Sequence, residues 1–480
     1  MLFNSFQFLI FFAIVVPLHF MVPHRFRWIV LLVASYYFYM CWSVPFAALL
    51  VVTTIWDYSA ARLIERTESV RGRRALMLAS VLTNLSVLCT FKYANFALSS
   101  AESVVGFFGS PIQFGRLELI LPLGISFYTF QSISYVVDVY RGAIAAERHL
   151  GYYATYIIFF PQLVAGPIER CGHLLPQFHW EKRLSFDNVR SGLQLMLWGI
   201  AKKLLVADTA AAAVNEIFKH PRDFSAPAVL FGAWLFGIQV YCDFSGYSDV
   251  ARGSARVLGF DLMENFRRPF LARTMAEFWS RWHISLTSWF RDYVYFPLGG
   301  NRVSRLRAAF NVIVTFTLSG LWHGAAWTYV TWGASNGVIL ALQKATAGWR
   351  RKVSSALGLH FVPAAYALWQ HFVVIGLFTL TLLFFRCPSV ADAAYVLRHL
   401  VDFDQFRWVE LTGMLLPKFE MSVLLAMIGC LFGVEYVMEH GLADRAWTFR
   451  PFRWAAYVTC FYAVVFFGVF RKIEFVYFQF

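Results

Sequence analysis

His323 lies in the run SGLWHGAAWTYVTWG (319–333), and no other acidic or basic side chain occurs between Arg307 and Lys344. An ionisable group in an apolar stretch is costly to hold in lipid and marks a functional position. Imidazole titrates nearest neutrality, so at a dry site this ring could act as a general base on a hydroxyl or thiol. Gly320 and Gly324 flank it and leave room for a substrate or a second helix to approach. The structural alternative is a packing histidine bonded to a neighbouring carbonyl. His283 sits in Trp279-Ser280-Arg281-Trp282-His283-Ile284-Ser285, among charged and aromatic neighbours where a solvated or headgroup-facing histidine is ordinary. The two Trp-His dipeptides, 282–283 and 322–323, are far apart in the chain and could meet in the fold.

The carboxylates come next. The run Tyr241-Cys242-Asp243-Phe244-Ser245-Gly246-Tyr247-Ser248-Asp249 interrupts an apolar stretch. Buried carboxylates must be paired or hydrogen-bonded. Asp243 and Asp249 are expected to pair with arginines of the 267–302 region in a network that fixes helix packing. Glu277 and Asp292 are expected to play similar scaffold roles. A proton path through Asp243, Asp249 and His323 in a transporter or channel is a separate reading. Other chemistry lacks its template: there is no G-x-x-x-x-G-K-[ST] loop, no G-x-S-x-G elbow and no H-E-x-x-H. The histidines show no metal-ligand spacing, and the seven cysteines form no C-x-x-C pair, so neither a metal site nor structural disulfides are expected.

The elements that must position these groups are legible in composition. Of 480 residues, 59% are hydrophobic and 15% charged, against about 45–50% and about 25% in soluble domains. Too few charges remain to coat a water-soluble body of this size, which excludes a cytosolic enzyme, a disordered tail and a secreted disulfide scaffold. The net charge of +14 gathers at the ends of apolar segments, as the positive-inside rule requires, so no nucleic-acid partner is expected. Apolar stretches lie near 7–23, 28–43, 44–57, 75–97, 117–137, 152–168, 191–207, 227–250, 310–330, 331–347, 362–385, 419–438 and 453–470. A crossing needs roughly 20 apolar residues, so an all-α polytopic bundle is expected, with about 11 transmembrane helices plus re-entrant or interfacial pieces. Basic loops at His24–Arg27 and Arg62–Arg74 put one side in the cytoplasm and the N-terminus outside, with the first apolar segment retained as a span. The chain reads as one membrane-embedded unit over 1–480, with N-terminal spans at 1–150, a core at 151–345 and C-terminal spans at 346–480. Within the core, 261–307 alternates basic and aromatic residues as an interfacial amphipathic segment does, and Pro297–Asn301 marks a tight turn.

Six co-linear runs carry a likeness to a known family: LPLGISFYTFQSISYVVDVYRG (121–142), FFPQLVAGPIER (159–170), DFSGYSD (243–249), ENFRRPF (264–270), EFWSRWHISLTSWFRDYVYFPLGGNR (277–302) and SGLWHGAAWTYVTWG (319–333). Together they resemble the membrane-bound O-acyltransferase family, in its bacterial alginate O-acetyltransferase-like branch, related to the D-alanyl transfer protein of lipoteichoic acid synthesis. The likeness spans about 1–345 and includes the terminal YFQF, whereas 350–475 matches only in hydropathy. It implies a helical bundle with a central tunnel in a bacterial inner membrane. It places the family's catalytic histidine on His323 and its second histidine on His283. It implies an acetyl donor on the cytoplasmic side, acetyl-CoA, with no bound cofactor. An extracytoplasmic SGNH-type acetyltransferase and a polysaccharide synthesis complex are the implied partners. The basic face of 261–307, with Arg267, Arg268, Arg281, Arg291 and Arg302, could hold the CoA phosphates, a task for which the guanidinium fork suits. One departure stands out: where the alginate proteins carry W-H-G at the W-G-A-x-x-G site, this chain has Asn336, which hydrogen-bonds but takes up no proton. The polymer, and transfer of D-alanyl instead of acetyl, stay open on that account. Asn336, Ser319 and the His323 ring are alternative donors to an oxyanion. A scaffold that recruits biosynthetic partners is the third functional class.

Overall fold

The computed structural model describes residues 1–109, 112–164, 166–400, 417–442, 444–470 and 475–476. Among them every regular element is helical, as hydrocarbon demands of a backbone that finds no hydrogen-bond partners in lipid. Five helices are long and apolar enough to cross a membrane: Val44–Arg66, Val70–Phe107, Ala226–Val257, Pro363–Arg386 and Lys418–Glu439. Phe6–Met21 is a shorter apolar helix. The remaining apolar stretches form shorter or more polar helices, among them His24–Met40, Ile125–Arg141, Arg305–His323, Trp327–Ala345 and Arg450–Phe467.

Three stretches differ from the hydropathy outline. The 117–137 stretch is helical only from Ile125, because Pro122 and the left-handed Gly124 (φ 73°) hold the chain out of the helix before it. The 152–168 stretch is broken into Leu150–Ile158 and Phe160–Leu163. The 310–330 stretch stops at His323, and a new helix begins at Trp327. The terminal YFQF lies outside the described residues.

The chain divides into two units, one made of 1–196 and 248–264, the other of 197–247 and 265–480. In the first, Asp57 is fully buried and accepts hydrogen bonds from Ser80 Oγ (2.6 Å) and Asn84 Nδ2 (2.8 Å). Glu169, of the 159–170 motif, is also buried, with one oxygen on His173 Nδ1 (2.8 Å) and the other accepting from the Met263 amide (2.5 Å). That carboxylate pulls the half-exposed His173 imidazole above its ordinary pKa. Gln177 Nε2 donates to the Asp261 carbonyl (2.9 Å), and its Oε1 accepts from the Asp261 amide (2.9 Å). These bonds make Glu169 and the neighbouring Gln177 a clamp on 261–263. Asp249 lies 3.7 Å from Arg252 of its own helix, which in turn lies 3.4 Å from Glu264. Arg252 thus stands one turn along the same helix, where helical spacing brings opposite charges together.

In the second unit, 265–307 folds as short helices at Met275–Arg281 and Ile284–Phe290 and a π-helical turn at Arg291–Tyr295. The expected tight turn follows, with Gly299 (φ 104°) and Gly300 (φ 54°) in backbone regions that side chains avoid.

Candidate functional site

The helices Arg305–His323 and Trp327–Ala345 form an antiparallel hairpin whose backbones touch. A Cβ at Gly320 would lie 2.2 Å from the Tyr329 carbonyl oxygen, and one at Gly333 would lie 2.2 Å from that of Phe316. A Cβ at Gly337 would lie 2.7 Å from the Ile313 Cα. Small residues are what allow helices to approach this closely in a membrane. The crossing fixes the last turn of the first helix, and His323 is its final residue. Gly333→Ala is expected to cost about 1–3 kcal/mol through overpacking of backbone on backbone, read as a lower unfolding temperature in detergent.

His283 is set by a different device. Its backbone is left-handed (φ 42°) at the start of the Ile284–Phe290 helix. For a residue with a Cβ that conformation costs roughly 1–2 kcal/mol and persists where the surroundings over-determine it. Here Arg267 N donates to Arg281 O (2.9 Å) and Ile284 N to Asn265 O (2.9 Å). Ser285 Oγ donates to Asn265 Oδ1 (2.6 Å), and Thr287 N donates to the His283 carbonyl (2.9 Å).

The two imidazoles meet, with ring centroids 6.4 Å apart. His283 is 1% exposed and His323 5%. The His323 ring stands edge-on to Trp332 (5.1 Å, 89°), and His283 to Phe244 (4.6 Å, 82°). Both line a cavity of about 620 Å³, a size in the range of small-molecule and cofactor sites. Its apolar lining includes Trp279, Trp282, Phe316 and Leu340, and Ser319 lies one turn before His323. The cavity also carries three cations: Arg291, Lys344 and Arg350. Such an arrangement suits an anionic molecule with an apolar reactive end. A neutral imidazole there can accept a proton, and guanidinium and ammonium groups can hold phosphate or carboxylate oxygens.

Of the arginines singled out in the sequence, Arg291 lines this cavity, with its Nε 2.8 Å from Asp292. Arg268 and Arg281 are bound by Glu439, at 2.5 and 2.9 Å, and Arg281 also by Glu277 at 2.9 Å. Glu277 accepts the Arg273 amide as well (2.9 Å). Arg267 and Arg302 are not among the lining residues, and Arg302 is exposed. Lys344 and Arg350 were not singled out, although Lys344 is the first charge after the apolar run that contains His323. Lys344 Nζ donates to Asn301 Oδ1 (2.6 Å), which also accepts from Tyr295 (2.7 Å), so the 297–301 turn steers the ammonium group. Asn336 is wholly buried, donates to the Trp332 carbonyl of its own helix (2.9 Å), and is not a lining residue. Ser319 is thus the lining hydroxyl among the three oxyanion candidates.

Asp243 does not pair with an arginine of 267–302. Lys203 Nζ sits between Asp243 Oδ1 and Asp208 Oδ1, 2.7 Å from each, and the Val476 amide donates to Asp243 Oδ2 (2.7 Å). Lys203 belongs to a π-helical turn, Lys202–Ala207, that brings its side chain to the carboxylates. Its neighbour Lys202 donates to Ser245 (2.9 Å).

Residues 145–390 match the profile described as MBOAT, membrane-bound O-acyltransferase family. The chain is 35% identical over 450 residues to the probable alginate O-acetylase AlgI of Pseudomonas aeruginosa, covering 93% of this chain and 84% of that one. It is 32% identical over 403 residues to the peptidoglycan O-acetyltransferase of Helicobacter pylori, covering 78% and 74%. Against the teichoic acid D-alanyltransferase of Bacillus subtilis it is 29% identical over 252 residues, covering 49% and 62%.

Proposed function

Since the chain belongs to the membrane-bound O-acyltransferase family, and is thereby a multi-pass membrane acyltransferase, we infer that it moves acetyl from cytoplasmic acetyl-CoA toward an exopolysaccharide such as alginate. The inferred setting is the bacterial inner membrane, with about 11 crossings and the N-terminus outside. An extracytoplasmic SGNH-type acetyltransferase of the polysaccharide synthesis complex completes delivery. The observation that carries this reading is the pair of imidazoles 6.4 Å apart on a cavity that also bears Arg291, Lys344 and Arg350.

In the proposed step, the acceptor hydroxyl oxygen attacks the thioester carbonyl while His323 takes the hydroxyl proton. The C–S bond breaks, and the CoA thiolate leaves and is reprotonated from the imidazolium. His283 faces the same space and orients the acyl carbonyl, and Ser319 can donate to the developing oxyanion. Trp279, Trp282 and Phe316 keep out the water that would hydrolyse the thioester. The cations hold the donor's phosphates.

Lys344→Ala and Arg350→Ala are each expected to raise KM for acetyl-CoA roughly tenfold or more, since a hydrogen bond to a charged group contributes about 1.5–3 kcal/mol, with kcat within a few-fold. Arg302→Ala, outside the cavity, should leave KM unchanged. The function itself is tested with the purified protein in liposomes, following CoA release from acetyl-CoA and label reaching the polymer when the SGNH partner is present. Transfer only from a D-alanyl carrier would replace the donor, and proton-coupled uptake without CoA release would replace the chemistry by transport.

A further inference from the structure

We propose that the segment Phe475–Val476 is a positioning element for the His283 imidazole, acting through Asp243 and Phe244. The proposal rests on the reading that His283 serves acyl transfer. Neither the apolar spans nor the family's two histidines requires anything of these residues, yet they are buried, at 0% and 5% exposure.

Two independent anchors hold the segment. The Val476 amide donates to Asp243 Oδ2 (2.7 Å), whose other oxygen is held by Lys203 at 2.7 Å. The Phe475 ring packs on Tyr247 (4.7 Å) and on Phe244 (5.5 Å, 60°). Phe244 then presents its ring edge-to-face to His283 at 4.6 Å. Phe266 closes the group, 5.1 Å from Phe244 and 6.4 Å from His283. Upstream, the Arg450–Phe467 helix ends, and the Val469 amide donates to the Leu204 carbonyl (3.1 Å), on the same π-helical turn that supplies Lys203. Val469 and Val476 are thus each held by a backbone amide, and Phe475 lies against the ring that borders the imidazole.

The physical consequence concerns orientation. A ring held by several neighbours has one position, and one that loses a neighbour gains rotational freedom. Without the Phe475 side chain, Phe244 can swing into the space left, and the perpendicular contact that seats His283 goes with it. Acyl transfer is sensitive to such shifts, since misplacement by about 1 Å can cost 10²-fold in rate.

The test uses the full-length protein in detergent or liposomes, with CoA release from acetyl-CoA as the activity and carbethoxylation of His283 by diethyl pyrocarbonate, read by mass spectrometry, as the ring's own report. Phe475→Ala is expected to lower kcat roughly tenfold with KM within about twofold, to shift the pH profile of kcat, and to speed labelling of His283. Phe475→Leu, which fills part of the space but lacks the ring, should move kcat and labelling the same way by a smaller amount, and it keeps the test open should the alanine variant fail to fold. In a double-mutant cycle, His283→Asn with Phe475→Ala should lose little more than His283→Asn alone. Unchanged labelling in both folded Phe475 variants overturns the proposal. Altered labelling with unchanged kcat upholds the seating of the ring and overturns the reading that His283 serves the chemistry.

Discussion

His323→Ala is expected to insert and unfold like the unaltered chain while losing acyl transfer by roughly 10²–10⁴-fold, the usual contribution of a positioned general base. The side chain ends its helix and lines a cavity, so its removal takes away the proposed base while the helix and the cavity wall around it stay in place. Its neighbours Trp332 and Phe385, at 5.1 and 5.6 Å, are held by their own helices and keep the pocket's shape. The loss should fall on kcat, with KM for acetyl-CoA nearly unchanged, because the cations proposed to hold the phosphates lie elsewhere on the cavity. His323→Gln keeps the hydrogen-bonding capacity but accepts no proton at neutral pH, and should be as inactive as alanine. Wild-type turnover by either variant would remove His323 from the mechanism and leave a role for Ser319 or His283 to be sought.

The second large effect is on stability. Lys203→Met removes the single ammonium group placed between Asp208 and Asp243, and all three side chains are almost wholly buried. Two carboxylates would then face one another with little to compensate them. Breaking a buried ion pair on one side costs about 3–5 kcal/mol, a large part of the about 5–15 kcal/mol that holds a typical domain folded. The expected result is a sharp fall in folded protein recovered from detergent extracts. Replacing the charges together, as Lys203→Met with Asp208→Asn and Asp243→Asn, should restore much of it. Neutral amides need no counter-charge, and the carboxamide oxygen introduced at position 243 can still accept the Val476 amide. If Lys203→Met alone unfolds at the wild-type temperature, the triad contributes nothing to holding this unit.

Much of this protein was determined by the sequence alone, for a local reason. An apolar run long enough to span hydrocarbon, or an imidazole stranded among Gly, Ala and Trp, carries its energetic cost in its own few residues. The five long apolar helices, the isolation of His323, the tight turn at 297–301 and the six co-linear motifs could all be read that way. The tertiary structure alone decided which groups answer one another. Asp243 had many basic residues to choose from, and the π-helical turn at 202–207 brought Lys203 to it in place of an arginine of 267–302. Arg268 and Arg281 were claimed by Glu439, more than 150 positions along the chain, which left Arg291, Lys344 and Arg350 on the cavity. Gly320 left room for either a substrate or a second helix, and the hairpin decided for the helix by laying its backbone against Gly333. A side chain's partner depends on which helix faces it, and that is set by packing summed over the whole unit, a quantity that no window of neighbouring residues contains.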